Sequence, residues 1–119
     1  MNQIIYFQKS DKYPVLDFIK KQPLKVQAKI LKDIGLLEEF GSTIGMPYVR
    51  KISGYEEIWE LRTKLTGNEY RIFYFTKLEN EIVLLHGIQK KDQKTPLKEL
   101  RITEKRRKKY LQKEDCNES

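Results

Sequence analysis

The chain has 119 residues, which suits a single domain with one hydrophobic core. It carries 24 lysines and arginines against 17 aspartates and glutamates, a formal net charge of +7. Such a positive field favours a nucleic acid, an anionic membrane surface or an acidic protein, without choosing among them. The single cysteine, Cys116, excludes an intrachain disulfide, and no apolar run approaches membrane-spanning length. With no leader-like segment at the start of the sequence, we expect a cytoplasmic protein.

The first part of the chain predicts a strand followed by a helical hairpin. Residues 4–8 are rich in β-branched and aromatic side chains, which favours a short strand. Pro14 suits the first turn of a helix over residues 15–20, and Pro23 can begin a second helix that ends at Gly41. Apolar residues recur in the second helix at steps of three and four, which predicts one buried face: Val26, Ile30, Ile34 and Leu37.

The remaining sequence predicts an antiparallel meander and a final helix. Polar turns separate four short strand patterns, at residues 48–52, 58–65, 70–76 and 82–88. Residues 89–94 are expected to form a loop, after which Thr95 can cap a helix and Pro96 can start it. We therefore predict one α+β domain over residues 1–111, with a frayed polar tail over 112–119. In this fold an N-terminal strand and a helical hairpin pack on a twisted antiparallel sheet of about four strands, followed by a C-terminal helix.

Charged side chains inside the apolar strands indicate where function lies. Strand alternation places Glu60, Arg62 and Lys64 on the face opposite the apolar core, so these side chains are expected to point outward. Arg71 lies in a strand whose two faces are both apolar, and a buried arginine needs a carboxylate or phosphate partner. The two arginines on neighbouring strands suggest a surface that binds an anion.

Further basic residues follow the third strand of the meander. His86, the only histidine, is predicted to share a strand face with Ile82, Leu84 and Ile88. A basic loop at the end of that strand leads into a helix N-terminus, where contact with phosphate is physically reasonable. The candidate nucleic-acid contacts in this loop and in the basic run of the last helix are Lys90, Lys91, Lys94, Lys105 and Arg106.

Each of these residues also has a structural explanation. Glu60 and Arg62 could pair with strand neighbours, and Arg71 could be a structural cation for Glu60. A lone histidine on an apolar strand is more often a core residue than a catalyst, and the basic segments could be solvated surface. One histidine and one cysteine do not form the usual kind of zinc site, and no carboxylate cluster suggests a magnesium site. A nuclease built on this chain would therefore use cations to stabilise a pentavalent phosphate, without a metal.

Four segments taken together carry a family resemblance: Trp-Glu-Leu-Arg at 59–62, Tyr-Arg-Ile-Phe-Tyr at 70–74, Leu-His-Gly at 85–87 and the basic segment 90–96 ending in Lys-Thr-Pro. They resemble the phage-derived, HigB-like branch of the RelE/ParE toxin superfamily, and the resemblance covers nearly the whole chain. It implies a microbial-ribonuclease-like fold and the toxin of a type II toxin–antitoxin pair. Such a toxin is an endoribonuclease that cuts messenger RNA, typically on the ribosome, with no metal or organic cofactor.

The resemblance also implies partners and residue roles. A helix-turn-helix antitoxin of the HigA kind would neutralise the toxin, and their complex would repress its own operator DNA. Arg71 matches the arginine that contacts the scissile phosphate, with Arg62 on the preceding strand, and Lys91 or Lys90 matches the residue that supports the leaving group. Lys64, Lys94, Lys105 and Arg106 would extend the RNA footprint.

The general base stays open between Glu60 and His86. RelE itself has a lysine where this chain has Glu60, and the late catalytic tyrosine of RelE has no clear match in the basic loop. Two other functions fit the same sequence. One is a ParE-like gyrase inhibitor without nuclease chemistry, and the other is a non-catalytic module that binds nucleic acid or a protein partner.

Overall fold

The computed structural model describes residues 2–55, 57–78, 80–90 and 95–118, the last five of them by backbone alone. Five strands in this part of the chain form one sheet in the order β1-β5-β4-β3-β2. β1 pairs in parallel with β5, and the other neighbours are antiparallel. The predicted α+β class is confirmed, with the N-terminal strand joining the meander as its fifth strand. The elements in chain order are β1 (Gln3–Tyr6), α1 (Pro14–Lys20), α2 (Leu24–Phe40), a 3₁₀ turn (Gly41–Ile44), β2 (Val49–Lys51), β3 (Trp59–Leu65), β4 (Asn68–Lys77), β5 (Glu81–Lys90) and α3 (Leu97–Glu118).

The helical hairpin covers one face of the sheet. The predicted apolar stripe of α2 is buried there, because that stripe can leave water only by packing on the apolar side of the strands. Asp33 lies within this interface, where its carboxylate accepts a hydrogen bond from Thr63 Oγ1 at 2.9 Å and pairs with Lys29 Nζ at 3.0 Å. These partners allow a buried carboxylate to tie α2 to β3.

The helix α3 packs on the opposite face of the sheet. Leu100 joins a small apolar cluster with Ile52, Ile58 and Phe73, and the later part of α3 covers a second cluster built around Phe75. The backbone of α3 is helical through residues 112–118, where the sequence predicts a frayed tail, and the domain boundary at 111 stays a prediction. None of the described helices is both long and apolar enough to cross a membrane.

A β-bulge in β5 changes the face on which two predicted site residues lie. In the ladder Phe73 pairs with His86 and Tyr74 pairs with Leu84, so Leu85 is the extra residue. As a result Leu85 packs beneath α3, and His86 on the same side contacts α3 as well. The prediction that His86 and Ile88 share a face with Ile82 and Leu84 is therefore wrong, because the bulge interrupts the two-residue alternation.

The end of β5 also differs from the prediction. Gln89 and Lys90 were expected in a loop, but they continue the strand opposite Tyr70 and Glu69 of β4. The ten residues of β4 offer ladder partners as far as Lys90, so the strand extends past the apolar segment that predicted it. Lys90 therefore lies on a strand, at a fixed position relative to the arginines of β3 and β4.

Gly87 lies where the ring of Phe18 of α1 packs against β5. A Cβ atom at this position would lie 2.5 Å from Cδ2 of Phe18. We expect Gly87→Ala to lower the free energy of unfolding by about 1–3 kcal/mol, since the aromatic ring or the strand must move. Urea denaturation of Gly87→Ala, Phe18→Ala and the double variant measures the coupling between the two sites. Purely additive effects of the two substitutions would contradict the proposed clash.

Candidate anion-binding site on the sheet face below α3

Charged side chains of four strands meet on the sheet face that α3 covers in part. In the ladders Arg50 of β2 is opposite Glu60 of β3, and Arg62 of β3 is opposite Arg71 of β4. Residues opposite each other in a ladder point to the same face. The three arginines, Arg50, Arg62 and Arg71, are called the arginine cluster below. Arg50 was missed by the sequence analysis because its short strand offers too few residues for alternation to show a face.

Two buried charges form the base of this cluster. Arg71 is 4% exposed and Glu60 is 0% exposed. Arg71 Nη1 donates hydrogen bonds to the two carboxylate oxygens of Glu60 at 3.0 and 2.9 Å, and to Thr95 Oγ1 at 3.4 Å. The requirement that Arg71 have an anionic partner is confirmed. The expectation that Glu60 points outward is wrong, because its carboxylate is buried against Arg71, which Thr95 also contacts.

Glu69 connects the two central arginines. Its Oε1 atom accepts hydrogen bonds from Arg62 Nε at 2.9 Å, from Arg71 Nη2 at 3.0 Å and from Arg71 Nε at 3.2 Å. Burial alone would raise the pKa of Glu69, but the hydrogen bonds and charges of the two arginines outweigh burial and lower it. Sequence alternation could have identified Glu69, which lies two positions before Arg71 on the same strand.

Two members of the cluster, Arg50 and Arg71, border a cleft of about 260 Å³, whose lining residues are Arg50, Ile52, Ser53, Glu60, Arg71, Thr95 and Leu100. Lys64 and Lys90 lie on either side of Glu69 in the ladders and so belong to the same sheet face. Burial and the charge of Arg71 lower the pKa of Lys90, which indicates that the two cations are electrostatically coupled. The structure thus brings together four of the predicted cations, Arg62, Lys64, Arg71 and Lys90. Lys91 and Lys94 lie outside the described residues.

His86 belongs to a separate set of contacts, which joins α3 to the sheet. Its Nδ1 accepts a hydrogen bond from Arg106 Nη1 at 3.1 Å, and Arg106 also donates to the carbonyl oxygen of Leu85 at 2.9 Å. An arginine can only donate, so Nε2 carries the imidazole hydrogen and donates it to the carboxylate of Glu99. Both ring nitrogens are therefore engaged in the free protein. Glu99 was missed by the sequence analysis, since only the fold brings α3 next to β5.

A second basic cleft lies between the end of β1 and α3. Its volume is about 260 Å³, and its lining residues are Phe7, Lys9, Ile102, Lys105, Arg106 and Lys109. Two predicted RNA contacts, Lys105 and Arg106, therefore lie together, but they lie at a different cleft from Arg71. Within the described part of the chain, no three His, Cys, Asp or Glu side chains come close enough to hold a metal ion.

The buried pair makes a prediction about stability. Arg71→Ala leaves the carboxylate of Glu60 buried without its cation, and we expect it to lower the free energy of unfolding by about 3–5 kcal/mol. Arg62→Ala removes a partly exposed ion pair and is expected to lower it by less than about 1 kcal/mol. Urea denaturation of both variants tests the difference. Equal free energies of unfolding for the two variants would show that the buried carboxylate of Glu60 does not need the charge of Arg71.

The contacts of His86 predict a pH effect. Burial, with a smaller contribution from the charge of Arg106, lowers the pKa of His86, and the carboxylate of Glu99 opposes this shift only in part. Because the folded pKa lies below the unfolded value of about 6.5, the unfolded chain binds more protons as the pH falls. The contribution of neutral His86 to the free energy of unfolding is therefore complete above about pH 6.5 and is lost as the pH falls below that value.

The chain has one histidine, so His86→Gln isolates this contribution. We expect the wild-type chain to lose more unfolding free energy than His86→Gln between about pH 7.5 and about pH 5.5. Denaturation curves at both pH values give the difference. Parallel losses in the two proteins would show that His86 is not the responsible group.

A comparison with known families identifies the chain. The profile of one family, described as "Phage derived protein Gp49-like (DUF891)", matches residues 17–108, more than three quarters of the chain. This segment runs from α1 into α3 and contains the arginine cluster with Glu60 and Glu69. A comparison with curated proteins finds no match. The family is of the toxin type, similar to RelE and HigB. The chain belongs to the phage-derived Gp49-like family.

Proposed function

We propose that this protein is the toxin of a type II toxin–antitoxin system, in the HigB-like branch of the superfamily. It acts as a metal-independent endoribonuclease that cuts messenger RNA on the ribosome and so arrests translation. A helix-turn-helix antitoxin of the HigA kind neutralises it, and the pair represses its operator DNA through the antitoxin. Membership of a toxin-type family supports the toxin, and the arginine cluster supports the chemistry.

The observation that carries the proposal is the bridge made by Glu69. Two guanidinium groups on neighbouring strands, Arg62 and Arg71, donate three hydrogen bonds to one carboxylate oxygen. A non-bridging phosphate oxygen has the same charge and accepts the same hydrogen bonds, and arginine is well suited to bind it. Glu60 holds Arg71 from the buried side, so the guanidinium keeps its orientation when Glu69 is displaced. In this proposal the scissile phosphate replaces Glu69 between the arginines.

The proposed reaction is an internal phosphoryl transfer. The ribose 2′-hydroxyl gives up its proton and attacks the adjacent phosphorus, while the bond from phosphorus to the 5′-oxygen breaks. The products are a 2′,3′-cyclic phosphate and a 5′-hydroxyl, so no water or metal enters this step. Arg62 and Arg71 stabilise the extra negative charge of the pentavalent phosphorus. Lys90, whose pKa is lowered, protonates the departing oxygen, and Lys91 stays a second candidate for this role.

Of three candidates for the base, Glu60, His86 and Glu69, the side chain of Glu69 is the most exposed. Both oxygens of Glu60 accept hydrogen bonds from Arg71, and both ring nitrogens of His86 are engaged with Arg106 and Glu99. Glu69 is 22% exposed, and it becomes available once a phosphate takes its place between the arginines. We therefore propose Glu69, rather than Glu60 or His86, as the acceptor of the 2′ proton.

Glu69→Gln tests this assignment because it separates binding from catalysis. The substitution removes the anion that competes with phosphate, so we expect a non-cleavable 2′-deoxy oligonucleotide to bind about tenfold more tightly. It also removes the base, so cleavage of the matching RNA is expected to fall by about 10²–10⁴-fold. Fluorescence anisotropy and single-turnover cleavage, with and without ribosomes, measure the two quantities. Unchanged cleavage would exclude Glu69 as the base.

Arg62→Ala and its control test the proposed site as a whole. Arg62→Ala should weaken oligonucleotide binding and slow cleavage together, because it removes half of the phosphate site. Arg101→Ala removes the same charge from an exposed position on α3 and should change neither. On induced expression the wild-type chain should cut transcripts and stop translation. Intact transcripts with DNA damage would indicate a gyrase inhibitor, and salt-dependent RNA binding without cleavage would indicate a binding module. Either result overturns the proposed function.

A further inference from the structure

The helix α2 carries a second apolar stripe on the side that faces away from the sheet. Leu24 and Leu31 are 81% and 49% exposed, and Ala28 and Gly35 are exposed as well. These four positions are spaced four, three and four residues apart, so they lie along one side of the helix. α2 is therefore apolar on two sides. The second side, formed by Val26, Ile30, Ile34 and Leu37, is buried in the core against the sheet.

Gly35 gives this outer stripe an unusual shape. A glycine within a helix lowers helix stability relative to alanine, so it needs a reason. A Cβ atom at Gly35 would meet no atom within 4 Å, which means that packing inside the described structure does not require a glycine. The missing side chain therefore leaves open space on the outer surface of α2. Gly35 thus provides a depression beside the exposed Leu31.

We propose that a second copy of this chain docks on the outer stripe, with the two α2 helices antiparallel about a two-fold axis. The axis crosses α2 between Lys29 and Ile30. In this register Leu24 lies opposite Gly35 of the second copy, and Leu31 lies opposite Ala28. Each large side chain therefore meets a small one, in both directions, as a two-fold interface requires. The two leucines are seven residues apart, and so are the two small residues. A seven-residue repeat is the spacing that keeps two packed helices in contact.

The charges at the two ends of the stripe favour the same arrangement. Lys21 and Lys25 lie at the amino end of α2, and Glu38 and Glu39 lie at its carboxyl end. Antiparallel docking brings the basic end of one copy to the acidic end of the other, whereas parallel docking would place like charges together. The stripe is thus complementary to itself in size and in charge. This self-complementarity is the reason to assign a second copy rather than a foreign helix.

The extent of the contact predicts a weak dimer. From Leu24 to Gly35 the stripe covers about 16 Å at 1.5 Å per residue. A contact of about three helical turns is smaller than a standard stable interface. α2 packs on the sheet face opposite the arginine cluster, so dimerisation leaves that cluster open. The proposed dimer therefore does not depend on the proposed ribonuclease activity.

Sedimentation equilibrium of the full chain from about 1 μM to about 1 mM tests the dimer. We expect the wild-type chain to pass reversibly from monomer to dimer in this range. Leu24→Lys should raise the dissociation constant at least about tenfold, since it places a charge at each end of the contact, opposite Gly35 of the second copy. Leu97→Lys is the matched control, because Leu97 is also an exposed leucine at the first position of a helix. It should leave the dissociation constant unchanged.

A size exchange tests the register itself. Gly35→Leu places a large side chain opposite Leu24 and should weaken the dimer, and Leu24→Ala places two small residues opposite each other and should weaken it too. The double variant restores a large residue opposite a small one, so its dissociation constant should return to within about threefold of wild type. Thermal unfolding confirms that each variant folds. A chain that stays monomeric, a dimer insensitive to Leu24→Lys, or a double variant no better than the single ones would overturn the proposal.

Discussion

The site depends on one buried ion pair between neighbouring strands. Glu60 is completely buried, and Arg71 is the cation that its two oxygens contact. Removing both charges from water is costly, so the pair persists only while its hydrogen bonds hold it in one geometry. That geometry orients the remaining donors of Arg71 toward Glu69, which also accepts a hydrogen bond from Arg62. The buried carboxylate of Glu60 therefore positions the guanidinium that the more exposed carboxylate of Glu69 contacts, so the proposed anion-binding site includes a structural ion pair.

The bulge in β5 determines what else this face can contain. Without the extra residue at Leu85, strand alternation would direct His86 into the core beneath the helical hairpin. With it, His86 faces α3 and binds Arg106 and Glu99. Those contacts hold the first half of α3 to the sheet, and Thr95, just before α3, approaches Arg71. His86 thus contacts α3 on the sheet face on which the cleft lies.

The two faces of the sheet differ in the elements and side chains that cover them. The helical hairpin buries most of the core and leaves an apolar stripe on its outer side. The opposite face is shared between α3 and charged side chains, with one basic cleft at the arginine cluster and another beside β1. A polyanion that crosses the α3 side would meet both clefts, while the outer side of α2 stays available for protein contact.

The sequence by itself determined most of the element types, the buried stripe of α2, and the alternation that places Arg62 on a charged face and Arg71 in need of an anion. These follow from local periodicity and from the cost of burying a charge, which a single sequence displays. Only the tertiary structure decided that Glu60 is buried, that Glu69 joins the arginines, and that His86 faces α3 with Arg106 and Glu99. The physical reason is that strand register, a one-residue bulge and the docking of α3 depend on contacts between residues far apart in the chain. Sequence periodicity does not record such contacts.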